Sequence, residues 1–255
     1  MEKPFFIDVH CHLDMIELPM EDVIENARKK GVGIIVTQGV NSESNRKVLS
    51  LAGKYDIVRA ALGIYPIDAL KMSDDEIDSE IEFIRKNRDK IAAIGEVGMD
   101  FKESDDKERQ KKIFVKFAAL SIELDKPIII HSRKAELECI EILEKNGAKK
   151  VIMHCFSGKF SLVKRIIENG WFLTIPTSVK NSEHFQKIIL ETPIEQLLCE
   201  TDAPYLHPDK QWPNEPMNVV VSYEKIAELK GLKLDDVKKK IFSNYQILFS
   251  ITKKI

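Results

Sequence analysis

Four of the six histidines and two carboxylates fall at matching places along the chain. His10 and His12 follow a first apolar run in the order DVHCHLD, and i, i+2 spacing on extended chain turns both imidazoles to one face. Glu96 follows the fourth apolar run, His131 ends the fifth, His154 ends the sixth and Asp202 ends the eighth. A lone strand-end histidine is usually a hydrogen-bonded packing residue, and a lone carboxylate there is usually a cap or a surface group. The combination reads differently, because several imidazoles and two carboxylates buried together without a cation leave costly unpaired groups. The set therefore predicts a metal centre. Four imidazoles and two carboxylates exceed what one tetrahedral ion uses while keeping a position open for water. Two divalent ions fit better, with Glu96 as the bridge because its chain position lies between the two ligand groups. Mixed nitrogen and oxygen ligands favour zinc or manganese over calcium, and magnesium stays open at an oxygen-rich half. Such a pair lowers the pKa of a shared water and stabilises both oxygens of an in-line displacement at a phosphoester, so hydrolysis is the expected chemistry. Cys11 and Cys155 adjoin these residues, but alternation turns them away, and both read as small buried hydrophobes. His184 reads as a surface helix residue and His207 as a loop residue.

The elements that must position these groups are legible as short apolar runs. They lie at 5–9, 33–37, 58–62, 91–96, 127–131, 151–155, 171–175 and 197–201, each too short for an isolated helix and suited to a buried parallel strand. Amphipathic stretches separate them. In 107–124, Ile113, Phe114, Phe117, Leu120 and Leu124 share one helical face. KKG at 29–31 and KNG at 145–147 read as helix stops. The acidic run at 73–80 reads as a solvated helix start and 234–252 as a closing helix. Eight strands with intervening helices predict an α/β fold, a single (β/α)8 TIM barrel spanning 1–255 as one domain, and ligand-bearing strand ends then share one rim. An open doubly wound sheet is the rival, but no glycine-rich phosphate turn occurs.

Composition narrows the class. Within 255 residues, 39 basic and 41 acidic residues leave a net charge of −2, so no general basic field advertises nucleic acid. At 44% hydrophobic and 31% charged, the chain suits a packed core rather than disorder. No apolar run approaches the roughly 20 residues of a membrane span, and Asp8, His10 and His12 break the N-terminal apolar stretch, so neither a membrane nor a secretory signal is expected. Four scattered cysteines without a C-x-x-C pair suit reduced thiols, and the expectation is a soluble cytoplasmic protein.

The ordered motifs DVHCHLD at 8–14, GEVGMDF at 95–101, Gln110 with Phe114, PIIIHSRKA at 127–135, HCFSG at 154–158, TDAPY at 201–205 and NEP at 214–216 resemble the TatD family of metal-dependent deoxyribonucleases. The resemblance implies that His10, His12, Glu96 and Asp202 hold one ion and that Glu96, His131 and His154 hold the second. Asp202 would then also accept a proton from the attacking water, which makes Asp202 and Glu96 the catalytic candidates. Arg133, two residues past His131, would face a substrate phosphate or else form a loop ion pair. Two positions depart from the family pattern. Family members typically read G-x-H-P where this chain has Gly63-Ile64-Tyr65-Pro66, and Pro213 stands where a basic residue commonly precedes NEP. Both remove positive charge from the groove, although Tyr65 can still donate a hydrogen bond.

Trp212, in the loop APYLHPDKQWPNEP, would stack on an unpaired base or pack as a lid over the mouth, and Phe101 and Phe156 are alternative rim aromatics. The expected substrate is DNA or a small phosphoester. A single-stranded end reaches a barrel-mouth site more easily than a continuous duplex, which favours exonuclease-like cleavage. The alternatives are a hydrolase of a small ester, amide or cyclic substrate on the same dinuclear site, and a binding module that uses metal only for stability.

Overall fold

The computed structural model describes residues 4–249. Its strands are β1 (Phe6–Cys11), β2 (Val32–Gln38), β3 (Val58–Leu62), β4 (Ile91–Asp100), β5 (Ile128–Arg133), β6 (Val151–Met153), β7 (Phe172–Pro176) and β8 (Leu197–Glu200). The helices are α1 (Met20–Lys29), α2 (Ser42–Lys54), α3 (Pro66–Ala69), α4 (Asp74–Lys86), α5 (Lys107–Glu123), α6 (Glu136–Asn146), α7 (Phe160–Glu168), α8 (Glu183–Glu191), α9 (Val220–Lys230) and α10 (Leu234–Phe249). The strands are parallel and neighbour one another in chain order from β1 to β8. This is the expected (β/α)8 barrel, with the Ile, Val and Leu of the strands and the inner faces of the helices forming one continuous core. No helix among the described residues is long and apolar enough to cross a membrane.

The barrel shuts along the seam between its first and last strands. Just beyond β8, Asp202 N donates to His10 O at 2.9 Å and His12 N donates to Ala203 O at 2.7 Å. Asp8, fully buried, sits in the same seam. Its Oδ1 accepts from Thr201 N at 3.0 Å and His10 N at 3.2 Å, and its Oδ2 accepts from Thr201 Oγ1 at 2.5 Å. Closure therefore fixes the backbone on both sides of His10, His12 and Asp202 at once.

Strand limits differ from the apolar runs where the chemistry sits. β4 continues past residue 96 to Asp100, so Glu96 lies inside a strand rather than at its end. Gly95 and Gly98 interrupt the apolar pattern in the sequence, yet the strand needs them. A Cβ on Gly98, at φ +144°, would fall 1.9 Å from the His131 carbonyl oxygen, so only glycine lets β4 and β5 approach there. The β4–β5 pairing also shifts register between Ile94 and Val97, which re-aims the intervening Glu96. β6, by contrast, stops at Met153, and His154 lies just outside it.

Helix signals read well. α5 begins after Asp106, whose side chain accepts from Arg109 N at 3.2 Å, and Ile113, Phe114, Phe117 and Leu120 are buried. The acidic run opens α4 through a reciprocal capping box between Ser73 and Glu76. It is not wholly solvated, however: Glu80 is buried, accepting from Asn45 Nδ2 at 2.8 Å and from Arg46. A buried carboxylate survives there because both partners are donors, and Asn45 also accepts from Gly63 N, next to Glu96. α10 packs against β1, β8 and the turn before β8, with Asn244 donating to Ile194 O at 2.7 Å and Leu197 O at 2.8 Å. Residues 250–252 of the expected closing helix lie outside the described residues.

The seam makes a stability prediction. Asp8→Ala leaves three buried donors without an acceptor and should cost about 3 kcal/mol or more of metal-free unfolding free energy. Burial pushes the Asp8 carboxyl well above the usual range, so the neutral, isosteric Asp8→Asn should cost about half as much. Urea unfolding in chelator checks both values, and equal stabilities for wild type and Asp8→Ala would remove the seam's role.

Candidate metal centre

All six residues singled out by spacing meet at the C-terminal rim. His10 Nε2 and His12 Nε2 are 3.3 Å apart. Glu96 Oε2 lies 3.6 Å from the first and 3.4 Å from the second, and Asp202 Oδ1 lies 3.5 Å from each. Four ligand atoms held about 2.0–2.1 Å from a common tetrahedral centre sit roughly 3.3–3.4 Å from one another. His10, His12 and Asp202 keep that spacing among themselves, and Glu96 Oε2 keeps it to both imidazoles. The other carboxylate oxygen of Glu96, Oε1, faces a different pair, 2.9 Å from His131 Nδ1 and 3.8 Å from His154 Nε2. Both His10–His12–Asp202 and Glu96–His131–His154 present donor atoms close enough together to hold a metal ion.

Two further carboxylates orient the rings. Asp100 Oδ2 lies 3.0 Å from His131 Nε2, which leaves Nδ1 turned to Glu96. Glu200 Oε2 lies 2.8 Å from His154 Nδ1, which leaves Nε2 turned inward, and Glu200 Oε1 is held in place by Cys155 N at 3.0 Å. Pinning the far nitrogen in this way sets which nitrogen offers its lone pair to a metal. His10 and His12 lack such an outer partner: their Nδ1 atoms are buried without a hydrogen bond. It is their Nε2 atoms that face the centre.

The charges respond to this crowding. Burial, reinforced by His154, lowers the His10 pKa. Burial alone would raise Glu96, but hydrogen bonds from His10 and His131 hold it well below the usual range. Asp202 behaves alike: burial opposes ionisation, and His12, His154 and His10 overcome it. At His154 burial favours the neutral ring, yet Glu200 and Asp202 carry its pKa up to about 10. Without a cation, protons on imidazoles thus balance the carboxylates, and a divalent ion supplies the same positive charge with better geometry.

A cavity of about 480 Å³ opens above the cluster, lined also by Met15, Val40, Tyr65, Ile67, Asp68, Lys71, Arg133 and Tyr205. Arg133 lines it as expected, but its Nη1 is also paired with Glu103 Oε1 at 3.0 Å. Tyr65 lines it with its hydroxyl proton already committed, donated to Asp100 Oδ2 at 3.0 Å. Trp212 is 62% exposed and packs beside Tyr205, ring centroids 5.7 Å apart, so it forms no lid over the mouth.

Other expectations need correction. Phe156 is fully buried, because the chain past His154 turns into the core, and it is not a rim aromatic. Phe101 is partly buried with Lys107 Nζ 4.8 Å from its ring. Cys11 is buried, but Cys155, just past the end of β6, is only half-buried. His184 is no plain surface residue, since Nε2 meets Phe156 O at 3.1 Å and ties α8 to the loop after β6. His207 stays within its loop, accepting from Asp209 N at 3.0 Å. The NEP segment is a clamp: buried Asn214 donates to Thr201 O at 2.9 Å and Tyr205 O at 2.7 Å, setting the loop that carries Asp202. Sequence reasoning missed Asp100, Glu200 and Asp8. The first two sit at even spacing from Glu96 and Asp202, a signal that could have exposed them.

Comparison with known proteins places this arrangement. Residues 7–250 match the family model described as TatD related DNase. The chain is 38% identical over 241 residues to an uncharacterised metal-dependent hydrolase of Methanocaldococcus jannaschii, covering 94% of each. It is 33% identical over 245 residues to the Homo sapiens protein named Deoxyribonuclease TATDN3, covering 91% of this chain and 89% of that one. The crystal structure of the Escherichia coli TatD homologue YjjV superposes with a TM-score of 0.90 at 27% identity, covering 98% of this chain and all of that one.

The orienting carboxylates make a test that needs no substrate. Glu200→Gln should weaken metal uptake about 10–100-fold, because the His154 ring loses its charged anchor. Competition with a chromogenic chelator reads the affinity, and an unchanged value would show that Glu200 does not act on the centre.

Proposed function

This chain belongs to the TatD family of metal-dependent hydrolases, and from that premise we propose that it hydrolyses phosphodiester bonds of DNA at single-stranded ends. The observation that carries the reading is Glu96, which offers one oxygen to the His10, His12 and Asp202 group and the other to His131 and His154. In this reading His10, His12, Glu96 and Asp202 hold one divalent ion, and Glu96, His131 and His154 hold a second. Bound there, zinc, manganese or magnesium ions supply Lewis acidity toward a phosphoryl oxygen and acidify a nearby water.

The chain's own residues do the rest. Asp202, kept ionised by its histidine neighbours, reaches the cavity and takes the proton from the attacking water. Glu96 keeps the two donor groups in register, so any shift of its carboxylate disturbs both. Arg133 swings from Glu103 to meet a phosphate oxygen at the rim. Tyr205 and Trp212, 48% and 62% exposed, offer a shelf on which an unpaired base stacks.

Substrate size and charge support an end-directed mode. A mouth of about 480 Å³ is near the size of a small-ligand pocket and admits about one nucleotide. Its cations are paired, Lys71 with Asp68 at 2.7 Å and Arg133 with Glu103 at 3.0 Å, so no unpaired basic track runs across this lining for a duplex. The same pairing favours the second reading, a hydrolase of a small ester, amide or cyclic substrate.

Metal-loaded protein should release nucleotides from single-stranded DNA, lose this activity in chelator and regain it on adding back metal. Asp202→Asn should lower kcat about 10²–10⁴-fold with the fold retained by circular dichroism. Turnover of chromogenic esters with no DNA cleavage between pH 6 and 9 would replace the nuclease reading by the second one.

A further inference from the structure

The wall of the mouth beside His131 has an unusual hydrogen-bonding polarity. Asp100 lies behind it, fully buried and surrounded by donors. Its Oδ1 accepts from Lys102 N at 2.9 Å and Glu103 N at 3.0 Å. Its Oδ2 accepts from the Tyr65 hydroxyl at 3.0 Å and faces His131 Nε2 at 3.0 Å, with the Arg133 guanidinium 4.0 Å away. A phenol has a single proton to give. Since Tyr65 gives it to Asp100, the hydroxyl presents only lone pairs to the cavity that Tyr65 lines.

That polarity decides what can sit there. A phosphate group brings acceptor oxygens and negative charge against an acceptor oxygen backed by a carboxylate, and Asp68 lies on the same lining. A hydroxyl brings a donor that Tyr65 can accept. The position also matches the span of a substrate end. Tyr65 Oη lies 3.5 Å from His131 Nε2, and the opposite nitrogen of that ring faces Glu96 Oε1 at 2.9 Å. One imidazole therefore separates the Tyr65 hydroxyl from the carboxylate at the heart of the cluster, much as one sugar separates a terminal hydroxyl from the last phosphodiester.

We propose that Tyr65 is a specificity-determining hydrogen-bond acceptor that selects a strand end bearing a free sugar hydroxyl over the same end bearing a phosphate. This rests on the DNA reading above and goes beyond it by naming the chemistry of the accepted end. With Arg133 given to the scissile phosphate and Lys71 held by Asp68, Tyr65 itself offers a terminal phosphate no donor, and a mismatch of that kind discriminates more sharply than a change of size.

The test uses the metal-loaded full chain and single strands of one sequence, ending in hydroxyl or phosphate at the 3′ or the 5′ side. At the end that is attacked, the hydroxyl strand should be favoured at least about tenfold in kcat/KM, the scale of one well-formed hydrogen bond. Tyr65→Phe should bring that ratio down to about twofold or less, and Tyr65→His, which restores an N–H donor, should move it toward the phosphate-ended strand. Kd values for strands with a phosphorothioate at the last linkage, read by fluorescence anisotropy, should follow the same order. Equal rates for both ends, or a Tyr65→Phe variant that slows both equally and loses metal, would overturn the assignment while leaving DNA cleavage standing. Hydrolysis of bis(4-nitrophenyl) phosphate with no strand cut at either end would overturn the nuclease reading, and this inference with it.

Discussion

Everything at the barrel mouth follows from the cost of gathering ionisable groups where water is scarce. Four imidazoles and two carboxylates share one rim, with five of their contacts between 3.3 and 3.6 Å. Carboxylates so placed repel one another, and burial strips their charge of the water that would screen it. Only positive charge at the centre relieves both penalties. Protons relieve them in part, as the raised pKa of His154 shows, but a proton satisfies one pair at a time. A divalent ion satisfies several donors at once, and His10, His12 and Asp202 stand at the separations such an ion needs.

The fold delivers this arrangement by tying backbone and side chains at several independent points. The seam at Asp8 and Thr201 holds the segments that carry His10, His12 and Asp202 together. Asn214 fixes the loop beyond Asp202 from the other side. Gly98 allows β4 and β5 to approach beside His131, and the shift of register in β4 turns Glu96 inward. Asp100 and Glu200 then choose the nitrogen that each outer histidine presents. A site assembled from five strands tolerates little play, which is why so many buried polar contacts stand behind it.

Much of this is legible in the sequence. Apolar runs at regular intervals marked all eight strands, and the recurrence of His or carboxylate at their ends marked the cluster. Boundaries differ where the pattern is broken for a structural purpose: the apolar run ends at residue 96, but Gly98 permits β4 to continue to Asp100. Asp100 and Glu200 carry a signal in their even spacing from Glu96 and Asp202, whereas Asp8 carries none, because a carboxylate inside a strand has no one-dimensional signature of its partner. Asp8 meets Thr201 across 193 positions of sequence. Phe156 misled for a related reason, since nothing in its neighbours announces that the chain dives into the core after His154. Tyr65 was recognised as a departure from the family pattern, but the direction of its hydrogen bond is a property of three-dimensional placement alone.

The rim differs from the centre in its economy of charge. Each cation lining the mouth is balanced by a nearby carboxylate, so attraction for an anionic substrate must come mainly from whatever the centre binds. The central claim is accordingly a pair of ions astride Glu96. Anomalous diffraction from crystals equilibrated with manganese tests it most directly. The account predicts two peaks about 3.5–4 Å apart, one against His10, His12 and Asp202, the other against His131 and His154, with a Glu96 oxygen on each. A single peak, or peaks away from Glu96, would contradict it.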